Sequence, residues 1–347
     1  SRFRTPDYGA ALYHESTYDA GRWRFTAGLR VDFEASKLHY RSYAEATYTT
    51  QTPDGTSYPH AILVDQPGTL KQSFTEILPK ISVLYRMGSS RRNTLYATVS
   101  KGYKAGGFNT QMFSDVLQQQ VMKQMGFGSL YDVADVVTYK PEKSWNYEIG
   151  IRSELLFQRL SAELTGFYMD IQDVQLTKFV NSGNGRILTN AGKAKSYGIE
   201  ASLRARIIDG LTADVNYGFT HATFRDYNNG KEDFKNNFIP YTPRHTFNVG
   251  LQYTRLFRNA WIDQFSASAQ FSGVGKIFWT ERNDIYQKFY GTVNAKVGVR
   301  KGIVNVNLWS RNITNTHYSA FYFESFGNPF IQLGKPFQIG AEVAIAF

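Results

Sequence analysis

The chain has 347 residues, a net charge of +10 at pH 7 and no cysteine, which excludes a disulfide framework, a thiolate metal site and a cysteine nucleophile. Only 42% of residues are hydrophobic and no apolar run reaches the ~18 residues of a membrane-crossing helix. The 39 basic residues are scattered; the tightest cluster, Arg91-Arg92, lies in a turn-like stretch, so no nucleic-acid partner is expected. The sequence opens at Ser1, with no basic n-region followed by an apolar h-region, so any signal peptide is expected to lie outside it.

From the first residues onward the pattern has period 2, which predicts strands with two unlike faces. Thirteen segments show it: 7–18, 22–40, 71–87, 92–106, 139–155, 158–178, 186–207, 210–226, 237–256, 260–278, 284–300, 303–316 and 330–347. In the second, Trp23, Phe25, Ala27, Leu29, Val31 and Phe33 oppose Arg24, Thr26, Gly28, Arg30, Asp32 and Glu34. In the seventh, Tyr197, Ile199, Ala201 and Leu203 oppose Ser196, Gly198, Glu200 and Ser202. Short connections such as Asp19-Ala20-Gly21, Ile208-Asp209-Gly210 and Lys301-Gly302 alternate with longer ones at 41–70, 107–138, 179–185, 227–236, 279–283 and 317–329. Phe113–Met125, inside the second of these, has near-helical apolar spacing and predicts a short amphipathic helix.

A soluble sandwich alternates too, but its inner face must be bulky throughout. Here the apolar face mixes Ala and Gly with Val, Leu and aromatics, and Trp23, Trp145, Tyr147 and Tyr197 gather toward strand ends, as at a membrane interface. The fold class is therefore read as all-β, a transmembrane antiparallel β-barrel in the bacterial outer membrane, with short periplasmic turns and long external loops. An odd count of strands beginning outside cannot close a barrel whose termini are both periplasmic, so further N-terminal strands are expected.

Several stretches then resemble the TonB-dependent outer-membrane receptor family. They are Leu95 to Asn109, Tyr139 to Gly150, Phe167 to Gln175, Asn190 to Glu200 and Asn312 to Tyr318, in family order. The terminal Phe337 to Phe347 resembles an outer-membrane assembly signal, carried by Phe337, Ile339, Val343, Ile345 and Phe347. The resemblance implies that residues 1–347 are the C-terminal part of a barrel of about 22 strands, with no plug domain and no TonB box in this chain. It further implies TonB-energised uptake of a scarce solute, with a ferric siderophore as the leading candidate. The implied partners are the TonB complex, through an N-terminal region not in this chain, the barrel assembly machinery, outer-membrane lipid and lipopolysaccharide. No cofactor is implied.

Within the strands, Gly106-Gly107 is expected to let the backbone leave the barrel at positive φ or in a bulge. Glu148, Glu200 and Glu342 lie near Arg152, Arg204 and Arg300, which predicts ion pairs in the lumen. Ligand capture is expected at external loops, through Phe113, Tyr131, Phe278, Trp279, Phe321 and Tyr322, against the plainer reading of these residues as an interfacial aromatic girdle. Asp170 and Asp173 read as surface carboxylates. The six histidines show no metal-binding spacing, and Gly273-Val274-Gly275-Lys276 lacks full phosphate-loop spacing, so no enzyme is expected. The competing reading is a passive porin of about sixteen strands.

Overall fold

The structure, a computed structural model, describes residues 1–347 except 90–91, 128–131, 158, 180–185, 259–260, 326–327 and 347. One antiparallel sheet runs through the chain in sequence order. Its edge strand β1 comes in two pieces, Arg2–Arg4 and Asp7–Ala20, both paired with β2, Trp23–Gln51. Then follow β3 (Ser57–Met87), β4 (Asn93–Lys104), β5 (Glu142–Leu155), β6 (Leu160–Gln172), β7 (Lys193–Ile208) and β8 (Leu211–Asp226). The series ends with β9 (His245–Leu256), β10 (Gln264–Val274), β11 (Tyr290–Lys301), β12 (Val304–Arg311) and β13 (Gln338–Ile345). The thirteen predicted strands are thus present, each hydrogen-bonded to the next.

The register places the predicted faces as expected. Trp23, Phe25, Leu29 and Phe33 form one outward row, and they face Tyr85, Val83, Pro79 and Thr75 on β3. Large apolar side chains on this face stay exposed, Leu29 at 50% and Ile199 at 47%. Water would penalise such a band; lipid does not. At the other end of the chain, Ile339, Val343 and Ile345 stand on the same outward face opposite Ser310, Val306 and Val304. Phe337 is likewise exposed, while Phe347 lies outside the described residues.

Ion pairs in the lumen follow strand pairing rather than sequence proximity. Residues four apart on one strand are about 13 Å apart, whereas directly opposed residues are about 5 Å apart. Arg152 therefore pairs with Glu163 (2.8 Å) and Arg204 with Asp214 (2.6 Å), each directly opposite in register. Glu148 accepts instead from the Tyr96 hydroxyl at 2.8 Å, and Glu342 meets Lys296 at 3.4 Å. Among the described residues the pairs Glu148 to Arg152, Glu200 to Arg204 and Glu342 to Arg300 do not form.

Three other expectations are corrected. Residues 41–70 are not a loop, because β2 and β3 continue as a hairpin with its turn at 52–56. At about 3.3 Å per residue the 29 residues of β2 reach about 95 Å, far more than a ~10-residue membrane crossing. The final strand is shorter than 330–347, since Asn328–Leu333 pairs with Ser319–Ser325 in an external hairpin. Finally, neither Gly106 nor Gly107 has positive φ. Glycine is needed at 106, where a Cβ would lie 2.6 Å from the Tyr139 backbone carbonyl; at 107 the nearest atom is the Tyr139 hydroxyl at 2.5 Å, the movable end of a side chain.

Where β3 and β4 part, side chains take over from the backbone ladder. Their register stops at Lys80 opposite Ser100. Just above, the buried Glu76 is held by Lys101 (3.1 Å) and Lys143 (2.6 Å), and the Tyr103 hydroxyl donates to Glu34 at 2.7 Å. Higher still, α1 (Phe113–Gln124) forms as its spacing predicts and lies against the extended hairpin. Leu38, Phe113, Val116 and Val137 make its buried core.

Leu38 is fully buried beneath α1, so Leu38→Ala removes about 2 kcal/mol or more from this local packing. Hydrogen exchange is expected to show amide protection over Phe113–Gln124 falling about thirtyfold, with β9 to β12 unchanged. Equal loosening of the barrel strands would contradict this placement of the helix.

Candidate functional site

The external ends of β8 to β13 carry three loops, 227–244, 275–289 and 312–337, and these are braced against one another. Asn283, at φ +62°, receives the Phe238 amide on its Oδ1 (2.6 Å) and donates from its Nδ2 to the Phe238 carbonyl (2.9 Å). Asn237 donates to the Glu281 carbonyl at 2.8 Å, and Arg282 grips Glu232 in a two-pronged pair at 2.5 and 2.7 Å. A loop fixed this way gives up less conformational entropy when it meets a ligand.

Tyr241 stands where the three loops meet. Its backbone adopts φ +61°, a sparsely populated conformation for a bulky residue. The amide donates to the Phe278 carbonyl (2.8 Å) and the hydroxyl to the Tyr322 carbonyl (2.9 Å). Its ring stacks on Phe321 at 5.4 Å and tilts over Trp279 at 5.5 Å. Beneath it, Ile277, Trp279 and Tyr322 form a buried cluster with Val274 and Ile285. Burial, and then the Glu324 carboxylate accepting from its hydroxyl at 2.6 Å, push the Tyr322 phenol well above its ordinary range. Tyr322 therefore stays a neutral donor.

Of the six expected ligand residues, the structure separates the five described ones into three groups. Trp279, Phe321 and Tyr322 come together around Tyr241. Phe278 turns the other way and stacks on Phe238 at 5.3 Å. Phe113 is 1% exposed, wedged between Phe3 and Tyr40 at 5.0 and 4.5 Å, and holds α1 in place. Tyr131 lies outside the described residues. Tyr241 itself went unnoticed in the sequence, although its position between Pro240 and Pro243 marked a rigid turn.

Below the platform the wall is polar and mixed in charge. One recess of about 340 Å³ includes Gln270, Asn294, Lys296, Trp309, Arg311 and Glu342. Asp170 stands on the outward face instead, in the row of Trp145 and Lys195, and pairs with Arg225 at 2.5 Å; Asp173 sits in a turn at φ +52°. Among the described residues no three His, Asp or Glu side chains converge as a metal site would require. The external site therefore offers rigid aromatic faces above a polar channel wall, a surface suited to capture and release of a solute.

Comparison with known proteins agrees with this architecture. The description "TonB dependent receptor-like, beta-barrel" matches residues 1–315. The pesticin receptor of Yersinia pestis is 25% identical over 283 residues, 80% of this chain and 37% of that receptor. The chain thus spans well under half the length of this relative. Among solved structures, the ferric yersiniabactin uptake receptor FyuA from Yersinia pestis superposes with a TM-score of 0.75 at 20% identity, over 99% of this chain and 46% of that one. The ferric-catecholate import receptor Fiu from K12 E. coli gives 0.68 at 18% identity, over 99% and 45%. The family consists of transport receptors of the Gram-negative outer membrane. By fold and by sequence, this chain belongs to the TonB-dependent receptor β-barrel family and is integral to that membrane.

Proposed function

We propose that the chain is the C-terminal barrel portion of a receptor that captures a ferric siderophore at its external face and imports it with energy from TonB. The observation that carries this reading is the Tyr241 platform, in which Tyr241 and Phe321, from two separate loops, are gathered over the buried Trp279 of a third. Flat or aromatic-armed iron chelates pack well on such rings, since offset aromatic pairs contribute about 0.5–1.5 kcal/mol beyond buried area. The names of the similar receptors, for ferric yersiniabactin and ferric catecholates, support the same class of solute.

The sheet edges favour this reading over a self-contained porin. Among the described residues β1 pairs only with β2, and β13 only with β12. Unpaired edges do not persist in hydrocarbon, so we take the barrel to be completed by further strands of the same polypeptide, with a plug and a TonB box among the parts this chain lacks. In that scheme Ile339, Val343, Ile345, Phe337 and Phe347 serve as the assembly signal, and the chain makes or breaks no covalent bond in its solute.

Two measurements test the site. Titration of the full-length receptor with ferric catecholate, phenolate and citrate chelates, followed by tryptophan fluorescence, is expected to show saturable quenching by one class. Tyr241→Ala is expected to weaken that binding about tenfold, the ~1.4 kcal/mol of one aromatic contact; unchanged affinity would remove Tyr241 from the site. Asn283→Ala, which cuts the brace without touching the platform, is expected to weaken it about three- to tenfold and to raise hydrogen exchange in 275–289. No effect on either quantity would show that the brace does not preorganise the loops.

A further inference from the structure

The positive charge of the chain is gathered at the periplasmic end, where the short turns lie. Segments 19–24, 86–92, 152–163, 204–214, 255–263 and 300–301 hold thirteen arginine or lysine residues against six carboxylates, so this end carries most of the net +10. Ion pairs take up Arg24 and Arg86 with Asp19, Arg152 with Glu163, Arg204 with Asp214 and Lys301 with Asp263. Among the described residues four arginines at the turns joining β5 to β10, Arg159, Arg206, Arg255 and Arg258, form no ion pair, against two carboxylates in the same state, Asp209 and Glu154. A basic surplus remains along that rim.

Two aromatic side chains stand out from the same turns. Phe157, between β5 and β6, is 103% exposed and Trp261, between β9 and β10, 95%, the fullest exposure of any large apolar side chain described. The last aromatics of the ladder at this end, Trp23 beside Tyr85 and Tyr253 beside Phe265, already supply an interfacial girdle; Phe157 and Trp261 lie past the ladder, on the water side. Leu156 and Phe157 also hold φ +51° and +55°, where a turn that only closed a hairpin would use Asn or Gly. The turns are braced: the Arg159 amide donates to the Leu156 carbonyl (3.0 Å), the Arg206 amide to the Arg159 carbonyl (2.7 Å) and the Phe257 amide to the Asp263 carbonyl (2.9 Å). At about 4.8 Å between strands, successive turns follow one another at about 10 Å, and Phe157 and Trp261 at about 20 Å, spans of one and two disaccharides. Exposed rings at that spacing, each with a free guanidinium two or three residues away, match a polymer of sugar rings that carries carboxylates. A sugar lays its C–H face on an aromatic ring, and a carboxylate accepts from a guanidinium.

We propose that the periplasmic rim of β5 to β10 binds an acidic glycan, its sugar faces packing on Phe157 and Trp261 and its carboxylates meeting Arg159, Arg206 and Arg258. Peptidoglycan, amino sugars bearing peptide stems with free carboxylates, has this chemistry. The basic surplus favours it over a neutral glycan, and the position of both rings past the girdle favours it over lipid of the inner leaflet. The site is at the opposite end of the barrel from the solute platform and uses none of Tyr241, Trp279 or Phe321, so the two readings stand or fall separately. Filling it would moor the barrel to the cell wall.

The test uses the full-length receptor in detergent, sedimented with purified peptidoglycan sacculi stripped of protein. At about 0.05 M salt the receptor is expected to sediment with them, and amidation of the sacculus carboxylates or salt of about 0.5 M is expected to release most of it. Trp261→Ala and Phe157→Asn are each expected to raise the half-saturating sacculus concentration about fivefold, and Arg159→Gln and Arg258→Gln about threefold apiece. Asn suits the left-handed backbone at 157, so that variant removes the ring without straining the turn, and heat-modifiable migration checks that every variant is folded. Soluble peptidoglycan fragments are expected to compete, and poly-glutamate and phosphatidylglycerol micelles are not. Equal sedimentation by all variants, unchanged binding to amidated sacculi, or competition by poly-glutamate or phosphatidylglycerol as strong as that by the fragments would each overturn the proposal.

Discussion

Hydrocarbon offers no partner to a peptide group, and an unpaired N–H or C=O there costs several kcal/mol. That single constraint organises the chain. It dictates strands that pair along their whole membrane-crossing length, hence the unbroken ladder from β1 to β13. Because successive side chains must then point to lipid and lumen in turn, it also dictates the alternation that fills the sequence. Lumen charges find partners across the ladder, as Arg152 finds Glu163 and Arg204 finds Asp214, because opposed strands bring carboxylate and guanidinium within reach.

Outside the membrane the constraint is lifted, and packing changes character. The β2–β3 hairpin continues into water, where helix α1 covers its inner face and Leu38, Phe113 and Val137 are buried. The three loops above β8 to β13 are fixed by side-chain amides instead, Asn283 above all. Around them the aromatics divide into two populations. Tyr241, Trp279 and Phe321 assemble where the loops meet, while Tyr197, His221, Phe238 and Phe278 form a strip on the leaflet side. The first suits a solute.

Strand count, order and facing were legible in the sequence wherever lipid lay on one side and water on the other. The pattern failed at 41–70 for a physical reason. Above Phe33 the outward row becomes Lys37, His39 and Arg41, while the inward row holds Leu38 and Tyr40 beneath α1, so the apolar face changes sides. A reading keyed to an outward apolar face ends the strand there. The site was half legible. Trp279, Phe321 and Tyr322 were found because aromatics in external loops are conspicuous, but the burial of Phe113 and the turning of Phe278 toward Phe238 depend on loop conformation. Tyr241 depends on a strained backbone that only long-range contacts hold in place. Ion-pair partners, set by register between strands distant in sequence, were likewise hidden.

The most direct test of a TonB-energised receptor is accumulation of radiolabelled iron, presented as its siderophore, in cells with and without this protein, before and after a protonophore collapses the proton-motive force. Saturable uptake that requires the protein and stops with the protonophore is the expected result. Uptake that rises linearly with concentration and persists without the proton-motive force would contradict it, and would make the barrel a passive pore.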